Sequence, residues 1–163
     1  MSPEIIHFRG SYQILKEKNM EKDVIATLEY VQDVLQGSLY RRELLNQALD
    51  EMGWRENGTL NILEGRRYMY KGFKKDIAIE GNFSAYEYIL EGLLRLQIGY
   101  ANGKIETGIL MLTSQRSEKS SLGSSKDLAQ AEIEMLYPTI NLPVTIALFD
   151  LGPPLISNDE EGE

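Results

Sequence analysis

The chain contains no cysteine and a single histidine. The first absence excludes disulfide frameworks, thiolate zinc sites, iron–sulfur clusters and cysteine nucleophiles, and the second leaves His7 unable to build a multi-histidine metal site. Any catalysis therefore falls mainly to carboxylates. No apolar run approaches the ~20 residues that span a bilayer, so no membrane anchoring is expected. Met1-Ser2-Pro3-Glu4 lacks the basic and long apolar regions of a secretory signal, and the expected compartment is the cytoplasm. Neither a P-loop nor a dinucleotide fingerprint occurs, and Gly99-Tyr100-Ala101-Asn102-Gly103 closes a helix rather than opening one, so no nucleotide cofactor is expected. Basic residues are also in deficit, 17 against 25 acidic, for a formal charge of −8. What remains is 163 residues with 42% hydrophobic side chains, enough for one ordinary core. We expect a single domain over residues 1–157 and an acidic, disordered tail over 158–163.

The negative charge is unevenly spread. Asp159, Glu160, Glu161 and Glu163 lie in the tail, so the folded body is nearer −4, while between Glu64 and Asp76 stand Arg66, Arg67, Lys71, Lys74 and Lys75. That local basic stretch keeps a nucleic-acid partner open despite the overall sign, although a solvated hairpin carries the same composition.

Residues 5–8 predict a short strand or an irregular start. Val24, Leu28, Val31 and Leu35 share one helical face, with Gly37-Ser38 closing it, and a second helix over 39–52 carries Leu44, Leu45, Ala48, Leu49 and Met52. Residues 59–63 and 67–73 predict short strands joined around Glu64-Gly65, followed by the β-branched segment Ile77-Ala78-Ile79, with Gly72 at a turn or bulge. Ser84 and Glu87 form a capping box before a helix carrying Ile89, Leu93, Leu96 and Tyr100. Residues 107–113 and 142–149 are dense apolar runs that predict buried strands. Between them lie a serine-rich exposed loop over 114–125 and a helix from Lys126 to Leu136. The order implies an α/β layered fold, a mixed central sheet with helices on both faces.

The segment 71–82, Lys-Gly-Phe-Lys-Lys-Asp-Ile-Ala-Ile-Glu-Gly-Asn, is the one that points to chemistry. As a strand it places Asp76, Ala78, Glu80 and Asn82 on one face and sends Ile77 and Ile79 into the core. A glutamate ending an apolar strand needs a cation, a hydrogen-bond donor or a metal. His7, Trp54 and the run Tyr68-Met69-Tyr70 read as packing residues in preference to a catalyst or stacking platforms.

Taken in order, Gly-Phe-Lys-Lys-Asp-Ile-Ala-Ile-Glu-Gly-Asn, a long helix, Thr-Gly-Ile-Leu-Met-Leu-Thr, the serine-rich loop with its helix, and Leu-Pro-Val-Thr-Ile-Ala-Leu-Phe-Asp-Leu-Gly resemble type II restriction endonucleases of the BamHI/BglII group. Residues 53–152 carry the likeness. It implies the PD-(D/E)xK nuclease fold, Mg2+-dependent hydrolysis of double-stranded DNA and a homodimer for palindromic sites. It also implies metal binding at Glu80 and the carbonyl of Gly81, and a catalytic neighbour at Asn82. The family's metal-binding aspartate, nine residues before the glutamate, is Lys71 here. Glu64, and beyond it Asp76, Glu43 or Asp50, are the other carboxylates that would have to replace it. Arg66, Arg67, Lys74, Lys75, Arg116, Lys119 and Lys126 are the candidate DNA contacts. The competing reading is a catalytically inactive relative that binds DNA or a protein partner, with Lys71 standing in for the lost cation.

Overall fold

The computed structural model describes residues 2–83, 88–114 and 125–152. Its centre is a five-stranded mixed sheet with the order β1-β5-β4-β3-β2. β3 (Ile77–Gly81), β4 (Thr107–Thr113) and β5 (Val144–Phe149) run parallel, pairing Glu80 with Leu110 and Leu110 with Ile146. β1 (Glu4–Phe8) and β2 (Gly72–Lys74) close the two edges antiparallel. β3, β4 and β5 are buried on both faces but for Thr113, which explains why their sequences read as continuous apolar runs.

Helices cover both faces. α1 (Ser11–Glu17), α2 (Glu21–Leu35) and α3 (Arg41–Glu51) pack on one side, where Leu28, Val31, Leu45 and Leu49 meet Ile77, Ile79, Ile109 and Phe149. α4 (Ile89–Ala101) and α5 (Lys126–Met135) cover the other, where Leu93, Leu96 and Ile133 meet Ala78, Leu110 and Ile146. The two cores follow from the alternation of β3, with Ile77 and Ile79 on one face and Ala78 on the other. Trp54 and Tyr70 are buried, whereas Tyr68 and Met69 are exposed.

The expected mixed sheet is present, with three differences. Residues 59–70 form no regular strand pair. They make an irregular hairpin with one bridge, Asn61 to Met69, flanked by Ile62 N donating to Tyr68 O and Tyr70 N to Leu60 O. Only Leu60, Ile62 and Tyr70 are buried, which gives the hairpin too little apolar face to extend. Gly72 is neither turn nor bulge. It pairs with Ile79, and a Cβ there would sit 3.0 Å from Trp54 Cβ. The turn falls instead at Lys75 and Asp76, both left-handed with φ of 51° and 64°, the backbone of a type I′ hairpin. The third difference is α1, a helix where the sequence shows no helical period. The Ser84 and Glu87 capping box lies outside the described residues.

A chain of hydroxyls ties the elements at the β1 edge. His7 Nδ1 lies 2.8 Å from Thr145 Oγ1, Ser11 Oγ lies 2.7 Å from both Thr145 Oγ1 and Thr107 Oγ1, and Thr107 Oγ1 donates to Pro143 O at 2.9 Å. Ser11, Thr107 and Thr145 are fully buried, so these contacts satisfy polar groups that burial would otherwise penalise.

Candidate functional site

Glu80 lies near the carboxyl end of β3, and its side chain enters the core beneath α4 with no exposed surface. The expected alternation holds within β3, with Ile77 and Ile79 in one core and Ala78 and Glu80 toward the other, but Asp76 lies in the turn, Asn82 lines the cleft beyond the strand, and Glu80's face is covered rather than open. Both carboxylate oxygens are engaged. Arg95 Nε donates to Oε2 at 2.8 Å, and the Tyr88 hydroxyl donates to Oε1 at 3.2 Å. The guanidinium is itself held by Nη2, which donates to Met69 O at 2.5 Å, and the α4 backbone is tied at the same residue by the buried Tyr70 hydroxyl, which donates to Arg95 O at 3.1 Å. Close approach of α4 makes this geometry accessible. A Cβ on Gly99 would stand 1.9 Å from the Tyr70 hydroxyl, and one on Gly92 would stand 2.4 Å from Leu110 Cδ1.

Burial lifts the Glu80 carboxyl above the ordinary carboxylate value, and Arg95, Lys71 and Tyr88 offset this only in part. Burial acts against the charge of Arg95 as well, yet the charge and hydrogen bond of Glu80 outweigh it and hold the guanidinium above its ordinary value. Lys71 faces Glu80 across the β2–β3 pair without touching it. Burial pushes its ammonium below the ordinary lysine value, Arg42, Arg95 and Arg55 push the same way, and Glu80 opposes them. The cation that directly neutralises Glu80 is therefore Arg95 and not Lys71.

Beside this pair, at the carboxyl end of β3, a cleft of about 300 Å3 opens toward the start of α3. It is lined by Tyr40, Arg42, Glu43, Lys71, Asn82 and Phe83, among others. Gly81 also borders it. A Cβ at Gly81 would come within 2.7 Å of Met111 Cβ, so packing between β3 and β4 already requires glycine there. Lys71, Gly81 and Asn82 are thus brought together around the cleft, while Glu80 is directed into the α4 core.

The remaining carboxylates do not assemble a cation site. Glu64 is exposed in the 63–68 turn, and Asp76 is exposed in the β2–β3 turn, 4.0 Å from Lys18. Glu43 stands at the cleft rim and Asp50 is exposed on α3. Among the described residues no three of His, Asp and Glu lie close enough to hold a metal ion. With both Glu80 oxygens taken and an ammonium in the aspartate position, the residues present do not fit Mg2+, which requires clustered oxygen ligands.

The expected DNA contacts also separate. Lys74 is committed to the fold. Its ammonium pairs with Asp23 Oδ2 at 2.9 Å, donates to Met52 O at 2.8 Å and lies 5.1 Å from the Trp54 ring centroid. Arg66 and Arg67 are exposed in the turn next to the segment that holds Arg95, Lys75 is exposed at the far end of β3, and Lys126 is exposed at the start of α5. Arg116 and Lys119 lie outside the described residues. Sequence reasoning missed Arg95, Tyr88, Arg42 and Arg55. The available signal was one cation within the otherwise apolar run Gly92-Leu93-Leu94-Arg95-Leu96.

No family model matches the chain, and no curated protein matches it. Among solved structures it is similar to restriction endonuclease BglII complexed with a DNA 16-mer, with a TM-score of 0.66 and 14% identity over 92% of this chain and 77% of that one. It is also similar to free BglII, with a TM-score of 0.60 and 15% identity over 91% and 79%. At such identity the likeness is one of fold. The chain has the BglII-like restriction-endonuclease fold.

Proposed function

We propose that this restriction-endonuclease-like chain binds duplex DNA and does not cleave it with a divalent metal. The observation that carries the reading is the closed pair of Glu80 and Arg95, which fills the place where an open, metal-binding carboxylate would be needed. DNA as partner is supported by the fold shared with a protein captured on a DNA 16-mer and by exposed Arg66, Arg67, Lys75 and Lys126. Because the chain is acidic overall, attraction to phosphate rests on these local charges and weakens steeply with salt.

The reading is tested by incubating the chain with mixed plasmid and genomic DNA in Mg2+ or Mn2+ at low salt, with Glu80→Ala as control, and by following fluorescence anisotropy of labelled duplex in EDTA. The expected result is binding in EDTA and intact DNA throughout. Discrete fragments that vanish in Glu80→Ala would restore the metal-dependent endonuclease. Absence of duplex binding by folded protein would leave a protein partner as the alternative.

Pairing of two copies belongs to the same reading, since a palindromic duplex presents two identical faces. Leu90 and Leu94, 55% and 48% exposed one turn apart on α4, supply apolar surface for it.

A further inference from the structure

We propose that the cleft between α3 and the carboxyl end of β3 binds a phosphate ester without a divalent ion, with Lys71 and Arg42 supplying the charge. This deepens the nucleic-acid reading above by naming a subsite and its ligand chemistry. Four observations converge on it. The cleft is a formed concavity of about 300 Å3, the small end of the range for ligand sites. That room suits one phosphate with its attached nucleoside. It lies at the carboxyl end of a parallel strand, where crevices in α/β sheets take ligands.

The third observation is the charge. The Lys71 ammonium makes no hydrogen bond or direct ion pair among the described residues, although it is half-buried and surrounded by Arg42, Arg55 and Arg95. Among the described residues the carboxylate that acts on it, Glu80, is already held by Arg95. Glu43 at the rim subtracts a single charge. A half-buried cation repelled by its neighbours, with no ion-pair partner among the described residues, is stabilised when an anion enters. The fourth is the wall. Leu39, Leu45 and Phe83 line the cleft with apolar surface that strengthens the field of the two cations, and Tyr40, 58% exposed, stands at the rim as a face on which a base can stack. Arg41 is spent on the frame, donating to Ser38 O and Gly152 O and so tying the start of α3 to the segment after β5.

The test uses the full chain in EDTA, titrated by calorimetry with inorganic phosphate, with thymidine 5′-monophosphate and with a short duplex, alongside Lys71→Met and Arg42→Ala. Saturable binding of either small phosphate, weakened at least about tenfold in Lys71→Met, is the expected result and matches the loss of one charge-assisted hydrogen bond. Tighter binding of the nucleotide than of inorganic phosphate assigns the site to nucleic-acid or nucleotide phosphate, and equal binding assigns it to the free anion. Lys71→Met removes a repelled cation, so its melting temperature should equal or exceed that of the parent, and lost binding then cannot be ascribed to unfolding. No phosphate binding, or binding unchanged in Lys71→Met, overturns the site even if duplex binding persists. Phosphate binding without duplex binding upholds the site and overturns the DNA reading.

Discussion

Glu80 and Arg95 are each expensive to leave alone and cheap to remove together. A buried charge stripped of its partner costs about 3–5 kcal/mol, whereas replacing both with apolar side chains of similar volume is often neutral. Arg95→Met, which strands the fully buried carboxyl, should therefore lower the unfolding free energy by about that amount in chemical denaturation, Glu80→Met, which leaves a guanidinium still in reach of water, should cost less, and the double variant should recover most of the loss. The same pair predicts that Lys71→Asp alone gains neither Mn2+ affinity by calorimetry nor cleavage, because Arg95 still occupies Glu80. Lys71 also has a pH signature. Its folded value is lowered, so between that value and the ordinary 10.5 the unfolded chain binds more protons and stability rises with pH. Thermal melts of Lys71→Met should lack this rise, and the variant's advantage at pH 7 should shrink as the pH increases. Glu80 was legible from its place at the end of an apolar strand. Its partner was not, because Arg95 is fifteen residues away on a helix, and period-two or period-3.6 patterns give no information on which side chain crosses between layers.

The elements most faithful to their sequence are α2, with its Val24, Leu28, Val31 and Leu35 face, and β4, whose apolar run coincides with the strand. The hairpin turn was hidden because Lys75-Asp76 lacks the glycine that normally marks two left-handed residues. Asp76→Gly should relieve that cost and stabilise the fold by up to about 1 kcal/mol in denaturant titration, net of a marginal contact with Lys18. α1 was hidden for a different reason. Its seven residues are too few to show a helical period, and it is held by Leu15 in the core and Ser11 in the hydroxyl chain. Between α4 and the 59–70 hairpin the controlling dimension is the gap at Gly99. Gly99→Ala would collide with the Tyr70 hydroxyl, so we expect a loss of about 1–3 kcal/mol, with disturbance extending to Arg95, whose carbonyl accepts that hydroxyl's proton.

For the molecule as a whole, the succession of elements was enough to anticipate a mixed sheet covered on both faces, because right-handed connections and alternating burial leave few other arrangements. The β1–β5 edge pairing and the cleft join residues far apart in the chain, which no local pattern connects. If two copies pair through α4, sedimentation velocity should show a dimer that Leu94→Asp converts to monomer. No helix among the described residues is long and apolar enough to cross a membrane. The hydroxyl chain linking β1, β5, α1 and β4 also has a direction. Pro143 O can only accept, so Thr107 must donate to it. Ser11 must then donate to Thr107 and Thr145 to Ser11, and the proton at the head of the chain must come from His7 Nδ1. A backbone carbonyl some distance away thus selects the tautomer of the only imidazole in the protein, and leaves Nε2 as the nitrogen that gains a proton in acid while the wire of hydroxyls keeps its polarity.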